Sequence, residues 1–306
     1  MQFMATTSTT GNSIFDGLAR SWERSLRAAG RSPRTVDSYL ESLRIFAAWR
    51  ESAGHSGDLD TIDRAQCEDF IVHLLDTRSA ATARVRFASM KQFFKWALRE
   101  QEITSDPMAD MPPPAQPTRE VPIITEADLA KLLDSLGGAD FEDRRDTAIV
   151  WVLLTTGLRA GELVGMDTDD VDLDARTITV IGKGDRERTV GIGDQTVLAL
   201  DRYERARTRH PRHTADAFWL GPKGGLTDSG LRQLIRRRGV AAGIEDLHPH
   251  RFRHTFAHRW LSKGGTEGGL QTAAGWRSPQ MLARYGASAK SERSRAEAAR
   301  LGLEEL

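Results

Sequence analysis

Apolar residues recur at helical spacing through the first hundred positions of the chain. Val36, Tyr39, Leu40, Leu43, Phe46 and Ala47 fall on one face of a helix. Ser32 and Pro33 supply its start, a side-chain cap followed by a proline at the first helical position, where no backbone N–H is needed. Cys67, Phe70, Ile71, Leu74 and Leu75 make a further stripe, and Ala83, Phe87, Met90, Phe94 and Ala97 another. With an opening helix near residues 13–29, the first part of the chain is expected to be all helical.

The pattern breaks at the prolines. Six of the eleven lie between Pro107 and Pro122, which excludes a helix and a central strand there. Residues 105–122 read as a semi-extended spacer between a domain at 13–104 and one at 123–306. The second domain is mixed. Thr125 opens a helix to about Leu136, and Thr147 to Thr156 reads as a buried one. Thr177–Ile181 and Glu187–Ile192 read as short strands joined by a hairpin turn, Gly182 to Arg186. Ala217 to Leu220 has the composition of a third strand, and the chain beyond residue 227 reads as helix again. The expected class is mainly α with a small β-sheet (α+β), a helical domain followed by a mixed one.

Charge then sharpens the picture. The 306 residues hold 43 Lys plus Arg against 43 Asp plus Glu, so no global positive excess marks a nucleic-acid binder. Local clustering does. Residues 232–259 carry seven arginines against Glu245 and Asp246, a local net charge of +5, as phosphate binding needs. Arg84, Lys91, Lys95 and Arg99 share one helix face, which is either a solvated basic face or a phosphate contact. Cys67 is the single cysteine, excluding an intrachain disulfide and a CxxC motif. The apolar stretch Ala148 to Leu154 is far shorter than the ~20 residues of a membrane helix. Met1 to Ser13 is polar, without the pattern of a signal peptide, so a cytoplasmic protein is expected, with no membrane partner.

Three stretches could carry chemistry. In the segment His248 to His258, Pro249 suits a helix start, and His250 and Arg253 then share a face above Phe252, Phe256 and Trp260. That is either a basic surface helix or a rigid pair presented to a phosphate. His250, His254 and His258 also recur every four residues, but no HExxH is present and the interleaved arginines repel a cation, so no metal is expected. Arg159 and Glu162 are spaced for a charge-assisted bond, which is also a common surface pair. Trp276 precedes Ser278-Pro279, another helix start, and Tyr285 closes that short helix, where a tyrosine is usually packing. Lysines are rare, 7 against 36 arginines, so Lys183 between two glycines of the hairpin turn stands out.

Taken in order, Arg-x-x-Glu, a hairpin lysine, His-x-x-Arg-His, Gly-Trp and a tyrosine nine residues later resemble the signature of the tyrosine recombinase (phage integrase) family. The resemblance runs from about residue 13 to 290 and is to compact members, Xer-like or small integrases. It implies a helical core-binding (SAM-like) domain followed by a catalytic domain, and no separate arm-binding domain is expected. It makes Arg159 and Arg253 the catalytic arginines, Glu162 the supporting acid, Lys183 the hairpin lysine and His250 the histidine of the His-x-x-Arg box. Tyr285 matches the nucleophile, and Trp276 stands where a second histidine is often found, a position that tryptophan also fills in some members.

The implied chemistry is physically coherent. Two guanidiniums can hold the equatorial oxygens of a phosphodiester and tighten as negative charge develops. His250 can assist proton transfer, Lys183 can protonate the leaving 5′-oxygen, and no cofactor or ATP is expected. The resemblance implies cleavage and rejoining of duplex DNA at specific core sites, a 3′-phosphotyrosyl intermediate, a Holliday junction and a homotetrameric synaptic complex. DNA-contact candidates are Arg84, Lys91, Lys95, Arg99, Arg236 and Arg237. A type IB topoisomerase shares the nucleophile and arginine chemistry, and a non-catalytic DNA-binding regulator would keep the basic patch without needing Tyr285. The tail from Ser291 to Leu303 is either a frayed helix or one that docks on a neighbouring protomer. Target sequence, biological role and any accessory factor are not written in these motifs.

Overall fold

The computed structural model describes residues 10–55, 58–115, 122–182 and 186–276, together with Leu282, Ser294 and Ala298. The chain divides into two compact units, Met1–Arg119 and Glu120–Leu306. The first is helical: α1 (Thr10–Ala28), α2 (Pro33–Ser52), α3 (Arg64–Thr77) and α4 (Ala80–Arg99). Each of the last three starts where a short polar side chain accepts a free backbone N–H: Ser32 from Thr35, Asp63 from Gln66 and Ser79 from Thr82. The stripes read from the sequence meet in an aromatic core. Phe46 lies edge-on to Phe70 at 5.0 Å between centroids, Trp22 edge-on to Phe93 at 5.2 Å, and Tyr39 stacks on Trp22 at 5.5 Å.

The Pro-rich stretch is packed over its described first half. Ile103, Met108 and Met111 are buried in the helical core. Arg84 donates to the carbonyl of Pro114 at 3.1 Å, and Lys91 to those of Ala109 and Met111 at 3.0 and 3.3 Å. The first turns of the expected spacer are thus part of the helical unit, because two methionines give apolar surface to a segment that proline keeps out of regular structure.

In the second unit α5 (Glu126–Asp134), α6 (Phe141–Thr156) and α7 (Ala160–Val164) precede a three-stranded antiparallel sheet in the order β1 (Val171–Asp172), β2 (Thr177–Gly182), β3 (Arg186–Gly191). α8 (Asp194–Arg207), a small ribbon of β4 (Leu220–Gly221) and β5 (Gly224–Gly225), α9 (Asp228–Ala241), α10 (Pro249–Ser262) and α11 (Glu267–Ala274) follow. α6 is the central element, packed against both α8 and α10, with Ile149, Val150, Val152 and Leu153 fully enclosed. It begins six residues before the expected Thr147, because Asp140 caps its first turn through the N–H of Asp143. Ile178 and Val180 of β2 and Val190 of β3 turn one face of the hairpin to the core. The expected strand at 217–220 is mostly buried loop, bridged to Asp167 at Ala217 and paired as β4 from Leu220.

The charged stretch at 232–259 is less open than its sequence suggests. Arg238 donates to Asp146 at 2.7 Å and Asp143 at 2.8 Å, Arg237 reaches Asp146 and Glu142, and Arg145 completes the cage around the fully buried Asp146. Arg232 pairs with Asp228 and Arg259 with Glu126. Arg251 is buried and donates to the carbonyls of Pro122, Ile123 and Glu245, fixing where the second unit begins. The +5 of this stretch is therefore largely matched by acids outside it or turned onto carbonyls.

Candidate active site

The site is assembled from four chain segments that the fold brings together. The first is the exit of α6. Gly157 ends that helix with φ of 60°, and a Cβ there would stand 2.4 Å from the Phe256 ring, so glycine is needed for both conformation and space. The chain then enters α7 with Arg159 as its cap. The Glu162 carboxylate accepts from the Arg159 backbone N–H at 2.8 Å and from its guanidinium at 2.7 Å. The Arg159 side chain remains 40% exposed while Glu162 is 5% exposed, so the arginine faces outward from a buried anchor.

The second segment is the hairpin. Arg188, on the core-facing side of β3 opposite Val180, donates to both oxygens of Glu162 at 3.0 and 2.8 Å. Burial, the largest single influence, pushes the Glu162 carboxyl up; hydrogen bonds from Arg188 and Arg159 and the charge of Arg188 outweigh it and hold the group below its ordinary value. Lys183 lies outside the described residues; Gly182 before it sits beside Arg188, whose guanidinium would be 3.4 Å from a Cβ there.

The third segment is the end of α11. Its last carbonyls have no partner within the helix, and three arginines take them. Arg188 donates to Ala273 at 3.3 Å, Arg253 to Ala274 at 2.6 Å, and Arg159 to Gly275 at 3.3 Å. The negative end of the helix dipole favours cations in this position. Gly275 turns with φ of 62°, and a Cβ on it would press on the Arg188 guanidinium at 3.0 Å. Trp276 follows, 5% exposed, with its ring 5.3 Å from the Arg253 guanidinium carbon, a cation–π distance.

Helix α10 supplies Arg253 and the histidines. The sequence suggested that Arg253 is openly presented. The structure buries it to 2% exposure, between the Gly157 carbonyl at 2.6 Å, the Ala274 carbonyl and the Trp276 ring. His250 is exposed near the start of α10, its ring 4.8 Å from the edge-on ring of buried His254. His248 caps the helix, its imidazole pushed below its ordinary pKa chiefly by burial. Tyr285 lies outside the described residues, as does most of the tail.

Of the DNA-contact candidates, Lys95 and Arg236 are exposed and have no ion-pair partner among the described residues. Arg99 pairs with Glu100, and Arg237 with Glu142 and Asp146. Arg84 and Lys91 hold the Pro-rich segment, as described above. Sequence reasoning missed Arg188 and the three carbonyls. An available signal was the strand alternation, which sets Arg188 on the same face as Val190 and so calls for a buried acid.

Comparison with known proteins covers both units. Residues 122–292 match the phage integrase family, and residues 19–101 the phage integrase N-terminal SAM-like domain. Tyrosine recombinase XerC of Corynebacterium efficiens is 34% identical over 261 residues, 84% of this chain and 81% of that protein. Tyrosine recombinase XerD of Listeria monocytogenes serotype 4b is 30% identical over 252 residues, 80% of this chain and 85% of that protein. In fold, the chain is similar to a XerH site-specific recombinase bound to a palindromic difH substrate in a post-cleavage complex. The TM-score is 0.75 at 20% identity, over 95% of this chain and 85% of the other. A lambda integrase dimer bound to a COC′ core site aligns with a TM-score of 0.69 at 16% identity, over 88% of this chain and 76% of the other.

Proposed function

The chain belongs to the phage integrase family of tyrosine recombinases, and from that premise we propose that it cleaves and rejoins duplex DNA with Tyr285 as nucleophile and Arg159 and Arg253 as the cations around the scissile phosphate. It is a tyrosine-type site-specific recombinase, and its partner is DNA. The observation that carries the residue assignment is the convergence of Arg159 and Arg253 on adjacent carbonyls, Gly275 and Ala274, beside Trp276. Residues far apart in sequence are gathered there with only nine positions separating Trp276 from Tyr285.

The reaction follows from these groups. The Tyr285 hydroxyl loses its proton, with His250 assisting, and its oxygen attacks the phosphorus. The bond from phosphorus to the 5′-oxygen breaks, and Lys183 gives that oxygen a proton. The products are a 3′-phosphotyrosyl link and a free 5′-hydroxyl, and the 5′-hydroxyl of a partner strand reverses the step through a Holliday junction. Negative charge grows on the non-bridging oxygens during attack. Preorganised guanidiniums stabilise that charge more than the ground state. Arg159 is already oriented by Glu162, so little reorganisation accompanies the reaction.

In the assembly that this reading implies, four protomers hold two core sites. The relatives are named recombinases, which favours strand exchange over relaxation and over binding without catalysis. The test uses a core site captured from a pool of nicked duplexes of randomised sequence by SDS-stable linkage to the protein. A plasmid carrying two copies of that site should yield the recombined circle, and Tyr285→Phe should yield none. Relaxation of supercoils with no recombined product contradicts the reading.

A further inference from the structure

We propose that Arg188 is a positioning residue for strand cleavage: it ties the Glu162 carboxylate, and through it Arg159, to the carbonyl end of α11 and to the hairpin that leads into Lys183. The proposal rests on the function given above. Its basis is the set of contacts one guanidinium makes. Two parallel bonds reach Glu162 at 3.0 and 2.8 Å, and a third reaches the Ala273 carbonyl at 3.3 Å. Its carbon stands 3.0 Å from where a Cβ of Gly275 would be, and one nitrogen 3.4 Å from where a Cβ of Gly182 would be. One side chain thus bonds the arginine box and the end of α11 and lies beside Gly182, the residue before Lys183.

The arrangement divides labour between the arginines. Arg159 is 40% exposed, which leaves part of the side chain open to an incoming phosphate. Arg188 is 16% exposed and its planar fork is committed to protein acceptors. A lysine cannot copy this, since a single ammonium lacks the fixed fork that meets a carboxylate with two parallel bonds. Without Arg188, Glu162 keeps only its bonds to Arg159, and α11 keeps two of the three arginines on its terminal carbonyls. The guanidinium of Arg159 is then less constrained at the point where charge develops, and a misplacement of about 1 Å costs on the order of 10²-fold in rate. The charged groups that face the Glu162 carboxyl among the described residues are Arg159 and Arg188.

The test compares Arg188→Gln and Arg188→Lys with the wild-type chain on a nicked suicide duplex carrying the captured site. Gel-shift affinity, thermal midpoint and the pH dependence of single-turnover cleavage are measured together. Arg188→Gln should bind within threefold of wild type and cleave about 10²-fold more slowly, with the acid limb of its pH–rate profile displaced to higher pH. Arg188→Lys should recover part of the rate and return the acid limb toward that of wild type, because a cation again faces Glu162. In a Glu162→Gln background, Arg188→Gln should no longer move the acid limb. Cleavage by Arg188→Gln within threefold of wild type overturns the proposal. So does a loss in both variants that parallels the loss of DNA binding and folded protein, with an unmoved acid limb. A wild-type chain that forms no covalent adduct would instead overturn the recombinase reading, so the two failures are distinct.

Discussion

Glu162 holds a charge where burial opposes one. Its carboxyl lies below its ordinary pKa because Arg188 and Arg159 overcome the burial that would raise it. A depressed folded value means that the ionised form favours the fold. That contribution is complete above the unfolded value of ~4.3 and is lost as pH falls through the folded value. Glu162→Gln should therefore be less stable than wild type near about pH 7, and the gap should close as pH falls below the unfolded value of ~4.3 and through the folded one. A thermal-midpoint difference that stays constant across that range would contradict the account. Arg159→Lys and Arg253→Lys keep charge but lose the fork. Each should slow suicide-substrate cleavage by about 10²–10³, corresponding to ~3–4 kcal/mol for one lost transition-state donor; cleavage within threefold of wild type removes that arginine from the site. The other tyrosines are committed elsewhere. Tyr203 is buried with its hydroxyl between the Phe218 carbonyl and the Leu220 N–H, its pKa pushed up to about 12 mainly by burial, and Tyr39 stacks on Trp22.

Between elements, α6 is joined to α9 by ion pairs. Asp146 is fully buried and accepts from Arg145 and Arg238, while its bond to the exposed Arg237 adds little. Asp146→Ala should destabilise the second unit by ~3–5 kcal/mol, because it leaves the buried Arg145 guanidinium without its acid and Arg238 with Asp143 alone. Urea unfolding followed by the fluorescence of its tryptophans measures this, and a loss under about 1 kcal/mol would mean that water replaces the carboxylate. At this scale much was legible beforehand. Helical stripes and caps at Ser32 and Thr125 mark real helix starts, and the paired strands fall where β-branched residues flank a glycine turn. The two-residue strands β1, β4 and β5 are too short to leave a period. The start of α6 is hidden in the polar run from Glu142 to Asp146, whose three acids turn out to pair with α9. Arg188 escaped notice because its acid, Glu162, is 26 residues away, a distance that no local pattern spans.

Over the whole molecule, charge is balanced and most arginines of the basic stretch already have partners. DNA affinity must then come from a limited number of cations, each releasing counterions as it meets a phosphate. Affinity should fall with salt with a log–log slope of about −0.9 per phosphate contacted. Lys95→Gln and Arg236→Gln should each lower the slope by about 1 without changing thermal stability. Arg237→Gln, whose charge is matched by Glu142 and Asp146, should leave the slope nearly unchanged. Equal slopes for wild type and both exposed-site variants would move the DNA face elsewhere. The zero net charge of the sequence hid this economy, since only the fold tells which cations are matched.

The central claim is that Tyr285 becomes covalently joined to DNA at the site built by Arg159, Glu162 and Arg253. The most direct measurement is to trap the protein on the nicked suicide duplex, digest the SDS-stable adduct and map the modified peptide by mass spectrometry. The account predicts a single adduct on the peptide containing Tyr285, on the 3′-phosphate side of the break, and none from Tyr285→Phe. An adduct on Tyr39 or Tyr203, or one that persists in Tyr285→Phe, contradicts it.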